Sequence, residues 1–416
     1  MRCTSQSPTI VASVANRRNC SSGLMPSRDC SHSIMGGQAR DRGCGAPDAP
    51  ALDYSPTVPS DHGEPMRSLA LLVVGCVAAA RVSAQQAATL RIGSAAARPG
   101  EKGSGFVDVP AGVDSGTRVP LTIVRGKDPG PTLALIAGTH GDEVAPVIAL
   151  QRVRRELDPV RLAGTVLLVH VANLPSFLRR TIYYSPIDGK NLNRVYPGKR
   201  DGTVSERIAD AITREIIERA DYLVDIHAGD GNESLRPYTY WSPLGLNARA
   251  DSIARQMALA WGNDYIVIDT ARPHDLRASV YTQNTAHLRG KPALTTEAGY
   301  LGVPAEDMVT RNVQGVFRLL RYLKMLPGEV ELVRHPLWFD RSEVLRSPGT
   351  GIWYPLVERG HAVQKGAVIG VVTDFFGDTT AAIAAPFAGV MLYVVATPAI
   401  SAGEPLGMVG HPVEER

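Results

Sequence analysis

The sequence predicts an α/β protein: a mostly parallel mixed sheet flanked by helices, followed by a small all-β barrel or sandwich. Three observations carry this. Between Arg118 and about Met325, short strand-like runs alternate with segments of helical period, the pattern of a parallel sheet covered by helices on both faces. Runs such as "TLALIAG" are continuously apolar, as strands buried on both faces are. After about Glu331 the helical period vanishes, and "GIWYPLVERGHAVQKGAVIGVV" and "AAIAAPFAGVMLYVVATPAISAGEPLGMVG" read as short strands cut by Gly and Pro.

Taken in order, residues 1–65 are rich in Ser, Pro, Gly, Arg and Asp and lack either period. They read as a disordered region, or as an extension upstream of a true start at Met66. From Met66, "MRSLALLVVGCVAAARVSAQQ" has a basic start, an apolar run from Leu69 to Ala80, and small residues at Val82 and Ala84. That is the anatomy of a signal peptide over 66–84, cut after Ala84, and it predicts an exported, periplasmic or secreted protein. The run is too short for a comfortable membrane span. "VVGC" resembles a lipoprotein box ending at Cys76, but apolar residues continue beyond it. All five cysteines (Cys3, Cys20, Cys30, Cys44, Cys76) precede the cut, so the mature chain needs no disulfide. The mature part divides into a catalytic domain, 85–330, and a β-rich domain, 331–416. A formal net charge of +3 over 416 residues gives no footing for a nucleic-acid or acidic-lipid partner.

Within 85–330 the expected elements are strands at 132–138, 165–171, 222–227, 265–269 and 293–299. Helices are expected over Val144–Leu157, from the Thr203/Glu206 capping box, around Ala248–Trp261, and from Ala305 to the stop signals Pro327 and Gly328. In such sheets ligands bind beyond the carboxyl ends of the strands. His140 and Glu143 follow the 132–138 strand in "GTHGDE", and His227 ends "YLVDIH". A polar βα loop is the bland reading of the first pair. Two histidines and a carboxylate converging at one sheet end are also a ligand set for catalytic zinc. Glu297 ends a third strand, in "TEAG", where a carboxylate outside the ligand set can accept a proton from water; a structural ion pair is the alternative. "RRTIYYSPIDGKNLNRVYPG" has little periodicity but carries Arg179, Arg180, Asn193 and Arg194, groups suited to a carboxylate or an oxyanion. His170, His274, His335 and His361 read as core or surface residues.

"GTHGDE", "DGKNLNRVYPG", "DIHAG" and "TEAG", in this order and spacing, resemble the succinylglutamate desuccinylase/aspartoacylase family, within the zinc carboxypeptidase-like superfamily. The resemblance implies one zinc ion per chain held by His140, Glu143 and His227, with Glu297 as general base. It implies that Asn193 and Arg194 bind a substrate carboxylate and that an upstream arginine, Arg180 or else Arg179, polarises the scissile carbonyl. Where aspartoacylase-like members carry a further arginine before the base, this sequence has His287, with Arg289 offset; recognition of a second substrate carboxylate is therefore not expected to follow the family pattern. The tail resembles a lipoyl/biotinyl-type barrel, but its tip, "TDFFGDTT", has no lysine, and Lys365 lies in an earlier turn, so the tail reads as a cover for the active-site mouth. The implied activity is zinc-dependent hydrolysis of a small N-acyl amino acid or related amide. The alternatives are an exported zinc carboxypeptidase acting on peptides or cell-wall fragments, and a metal-binding protein without turnover.

Overall fold

A computed structural model describes residues 88–414. The upstream extension, the proposed signal peptide and all five cysteines, Cys76 included, lie outside the described residues.

Strands β1 (Leu90–Ile92) and β2 (Ala95–Ala97) form a small hairpin. The next ten strands belong to one large sheet. They are β3 (Glu101–Val109), β4 (Thr117–Arg125), β5 (Asp128–Ala137), β6 (Ala163–Val169), β7 (Tyr222–His227), β8 (Glu233–Leu235), β9 (Tyr238–Trp241), β10 (Tyr265–Ile268), β11 (Ala293–Glu297) and β12 (Leu337–Arg346). In the tail, β13 (Gly351–Pro355) is followed by β14 (Ala362–Val363), β15 (Val368–Thr373), β16 (Thr379–Ala384), β17 (Gly389–Val395), β18 (Ala399–Ile400) and β19 (Pro405–Val413). The helices are α1 (Val144–Glu156), α2 (Leu174–Arg179), α3 (Val204–Glu215), α4 (Ala248–Trp261), α5 (Thr282–His287) and α6 (Glu306–Tyr322).

The large sheet runs β14-β17-β19-β12-β10-β9-β11-β7-β5-β6-β4-β3, with β8 paired to β17. Its centre is parallel: β6, β5, β7 and β11 run together, as do β9, β10 and β12. An antiparallel β9–β11 pair joins these groups, and both margins are antiparallel. Side chains in β5 go alternately to the two faces. Leu133 and Leu135 pack with α1, α4 and α6, whereas Ala134 and Ile136 pack with α3. Both faces are covered, which is why the strand tolerates no polar residue between Leu133 and Ala137. Each such buried aliphatic side chain contributes about 1.5–3 kcal/mol.

The expected long helices stand where periodicity and caps put them. Glu206 closes a capping box on α3, its Oε2 accepting from the Thr203 backbone N–H at 3.0 Å. Asn247 caps α4 by accepting from the Ala250 N–H at 3.1 Å. The six-residue helices α2 and α5 were not expected; each is too short to show a hydrophobic period. Tail strands β14, β17 and β19 extend the large sheet, while β16-β15-β13-β18 form a second sheet. Trp353, Ile369 and Val372 of the second sheet meet Met391, Val395 and Val409 of the first across one apolar core. Among the described residues, no helix is long and apolar enough to cross a membrane.

Candidate active site

Three neighbouring parallel strands, β5, β7 and β11, end at the same edge of the sheet. Register places Glu297 opposite His227, and Thr295 opposite Asp225. Across the antiparallel partner, Glu297 faces Tyr238 and Thr295 faces Tyr240. Because side chains alternate with period two, these six residues share one face; His227, Thr295, Glu297, Tyr238 and Tyr240 line a cavity, and Asp225 is fully buried. His140 and Glu143 come from the turn that follows β5. That turn depends on glycine twice: Gly138 has φ +69°, and a Cβ on Gly141 would lie 2.3 Å from the carbonyl oxygen of Ser176. Glu143 stands at the N-cap of α1 but makes no capping bond with its side chain, which turns to the histidines instead.

Ligand atoms of His140, Glu143 and His227 all lie within 4.8 Å of one another, and all three residues are buried. Nδ1 of His140 is 2.6 Å from Glu143 Oε1, and Nδ1 of His227 is 2.9 Å from Glu143 Oε2. The far nitrogens decide what those near nitrogens offer. His140 Nε2 lies 3.2 Å from Asn191 Oδ1, an atom that also accepts the Asn193 N–H. His227 Nε2 lies 3.0 Å from the Asp225 carboxylate. A proton on each Nε2 leaves the Nδ1 lone pairs aimed at the centre, the arrangement of metal-ligating histidines. Two buried carboxylate oxygens without a hydrogen-bond donor lie beside these ligands: Glu143 Oε2 and Asp230 Oδ1. Buried anionic oxygens of this kind require a positive partner, and a divalent cation between the three ligands fits the donor set.

The surrounding charge reports the same environment. Burial opposes ionisation of Glu143, but His227 and His140 outweigh it and hold its pKa down to about 2. Burial also opposes protonation of His227, yet Asp225 and Glu143 lift its pKa well above the ordinary value. Glu297 is raised well above the usual carboxyl range by burial, with Glu143, Glu233 and Asp225 adding to it against the pull of His227.

The cavity, of about 720 Å³, is lined by His140, Glu143, Asn193, Arg194, His227 and Glu297 among others. Asn193 is fixed through its Oδ1, which accepts from the Thr282 N–H at 2.9 Å and from the Thr282 hydroxyl at 3.1 Å. The Arg194 guanidinium stacks 4.8 Å above the Tyr281 ring. Arg180 and Arg179 are not brought to the cavity in this structure. Both are exposed at the end of α2 and neither lines the cavity. Arg180 is the C-cap of that helix in left-handed conformation, φ 52°, and the charge it acts on is Asp142. Tyr183, three residues on, is the member of this segment that enters the cavity; its hydroxyl donates to Glu233. His287 is buried against Asp251 at 2.6 Å, and neither it nor Arg289 lines the cavity.

Several lining residues went unseen in the sequence: Tyr183, Asp230, Glu233, Arg272, Tyr281 and Tyr393. Asp230 and Glu233 follow "DIHAG" closely, and proximity to that motif was the available signal. Arg272 pairs with Asp269 at 2.6 Å and lies 4.0 Å over the Tyr281 ring. One wall comes from the tail, through Arg341, Val344, Arg346, Tyr393 and Met408. Lys365 is exposed, away from this wall.

Comparisons with known proteins bear on the family and the fold. Residues 129–323 match the model of the succinylglutamate desuccinylase/aspartoacylase catalytic domain. An N-alpha-acetyl-L-2,4-diaminobutyric acid deacetylase of Halomonas elongata is 30% identical over 280 residues, which is 65% of this chain and 79% of the relative. The product-bound ectoine utilization protein of Ruegeria pomeroyi superposes with a TM-score of 0.68 at 26% identity, covering 78% of this chain and 98% of that one. An aspartoacylase family protein of Mesorhizobium loti gives 0.64 at 27% identity, over 76% of this chain and 96% of that one. The motifs, the sheet-end site and these likenesses together place the chain in the succinylglutamate desuccinylase/aspartoacylase family.

Proposed function

We propose that this protein is a zinc-dependent deacylase that hydrolyses the amide bond of a small N-acyl amino acid. The observation that carries the reading is the convergence of His140, Glu143 and His227, with Glu297 one strand away in register with His227. Zinc held by the three ligands would supply a Lewis acid for water and for the amide carbonyl. Glu297 would accept the proton of the attacking water and return it to the leaving nitrogen. Asn193 and Arg194 hold the substrate carboxylate, with Asn193 already immobilised by Thr282. The Halomonas relative removes an acetyl group from an amino-acid nitrogen, which supports the reaction class.

A carboxypeptidase acting on peptides or cell-wall fragments needs room for a chain on both sides of the scissile bond. The wall of tail residues over this cavity favours a small substrate instead. Export remains part of the proposal and rests on the 66–84 segment; N-terminal sequencing of the protein recovered from its native compartment tests it, with Gln85 expected as the first residue.

The decisive assay is hydrolysis of a panel of N-acetyl and N-succinyl amino acids before and after chelation. Amine release that stops on chelation and returns with zinc is the expected result. Activity on long peptides with none on acyl amino acids would overturn the reading.

A further inference from the structure

Helix α5 is fully buried and yet almost wholly polar. None of its residues is more exposed than His287 at 3%, and Ala286 is its one apolar member. None of them lines the cavity. Polar side chains shut away from water cost stability unless each is paired. Here the pairing is incomplete: Gln283 Oε1, Asn284 Oδ1 and His287 Nδ1 are buried without a hydrogen-bond partner. An apolar helix of the same shape would fold about as well, so stability gives no reason for this composition. The partners that its polar groups do reach give one.

At the leading end, Thr282 donates twice to Asn193 Oδ1, from its backbone N–H at 2.9 Å and its hydroxyl at 3.1 Å. Tyr281, just ahead of the helix, lies between two guanidinium groups, with Arg194 at 4.8 Å and Arg272 at 4.0 Å from its ring. Val280 exchanges backbone hydrogen bonds with Tyr196 and holds φ 70°, a conformation that a β-branched residue keeps only under constraint. In mid-helix, Asn284 Nδ2 donates to the carbonyls of Pro273 and Ser279, both at 2.8 Å, which fastens the loop that carries Arg272. Gln283 Nε2 ties the helix to the start of β11 through the Ala293 carbonyl at 3.3 Å. At the far end, His287 Nε2 donates to Asp251 Oδ1 at 2.6 Å. Asp251 is itself held in the first turn of α4, accepting the Leu244 N–H at 3.1 Å and the Gly245 N–H at 2.9 Å. The short helix thus joins α4 to the cavity wall that holds Asn193, Arg194 and Arg272.

We infer that His287 is a positioning residue: its bond to Asp251 sets where α5 stands, and α5 in turn sets Asn193 and Arg194 for the substrate carboxylate. This rests on the carboxylate-binding role given to that pair in the deacylase reading, and deepens it. A hydrogen-bonded helix of six residues moves as one piece, so a shift at the His287 end carries to Thr282 and Tyr281. Small misplacements of a binding group, made from a distance, are enough to weaken productive binding. His287 therefore acts on substrate recognition from behind the wall, without touching the substrate.

The test pairs N-acetyl-L-alanine with N-ethylacetamide, the same amide without its carboxylate, on the full-length protein. The wild type is expected to favour the first. His287→Leu, which cannot bond Asp251, should raise KM for N-acetyl-L-alanine by about tenfold or more with little change in kcat. Zinc content should stay at the wild-type level, and so should the KM of N-ethylacetamide, or its Ki where it is not turned over. His287→Gln, whose amide nitrogen reaches the place of Nε2, should restore KM. A role confined to stability predicts a lower melting temperature with unchanged KM, or equal losses on both compounds; either result would overturn the inference. So would a His287→Gln variant no better than His287→Leu. Should His287→Leu fail to fold, His287→Asn, polar but too short to reach Asp251, is judged by the same criteria. If the wild type hydrolyses neither compound, the deacylase reading fails, and calorimetry with the same two compounds still decides. Carboxylate-dependent binding that is lost in His287→Leu and kept in His287→Gln supports the inference, and binding unchanged in His287→Leu contradicts it. A wild type that shows no preference for the carboxylate, in turnover or in binding, removes the carboxylate wall and the inference with it.

Discussion

At the scale of single residues, Glu297 and His227 illustrate how little distance separates structure from chemistry. They are paired across β7 and β11, so the acid cannot move without the ligand's strand moving too. Glu297→Gln keeps that geometry and removes the proton acceptor. It should lower kcat by about 10²–10⁴-fold while metal content stays at the wild-type level; retained turnover would contradict the role. His170 tests a different point, outside the candidate metal cluster. Its Nε2 meets Thr122 Oγ1 at 2.9 Å, and burial, helped by Arg154, pushes its pKa down from 6.5 to about 4. Over that window the unfolded chain takes up a proton that the folded chain does not. Stability is therefore lost as pH falls from about 6.5 to about 4. In urea denaturation, His170→Gln should lose less stability than the wild type across this range, and a difference constant with pH would contradict the assignment. The candidate cluster of His140, Glu143 and His227, with Glu297 beside it, was visible in the sequence because these residues stand at or just past the ends of apolar strands. Asp230 and Tyr183 were not, because loops carry them and only long-range contacts decide where those loops lie.

At the scale of elements, the segment between α2 and α3 shows why the positions of its polar residues cannot be read from spacing. It has no periodicity, and its shape comes from bonds to other parts of the chain. Asp188 accepts from the Ser205 N–H at 2.9 Å and the Ser205 hydroxyl at 2.8 Å, which fastens the segment to the first turn of α3. Asn191 then reaches His140, and Asn193 reaches Thr282. A sequence shows the polar residues but not which distant donors they meet. Asp188→Ala removes the anchor and an N-terminal helix partner together, at a cost of about 0.5–2 kcal/mol. It should raise KM for an acyl amino acid more than it lowers kcat, since Asn193 and Arg194 lose their support; an unchanged KM would mean that the segment is held by other contacts. The long helices α1, α3, α4 and α6, by contrast, were plain from apolar spacing and caps, because their packing faces are continuous.

For the molecule as a whole, the tail is joined to the catalytic part through the sheet itself. β12 pairs in parallel with β10 and antiparallel with β19, so one strand belongs to both. Phe339, fully buried in β12, packs among Tyr238, Leu392 and Met408, behind the cavity and its tail-built wall. Phe339→Ala should cost about 3–5 kcal/mol in denaturation experiments and should impair substrate binding as well; loss of stability with wild-type KM would separate the two parts functionally. Tail composition announced strands but not this sharing, because strand partners far apart in sequence leave no local trace. The central claim remains the metal centre at the shared ends of β5, β7 and β11. Metal content of the purified protein, measured beside His140→Ala and His227→Ala, tests it most directly. About one zinc per chain in the wild type, lost in both variants, is the predicted result; a wild type that neither contains metal nor takes it up on addition of zinc would contradict the account.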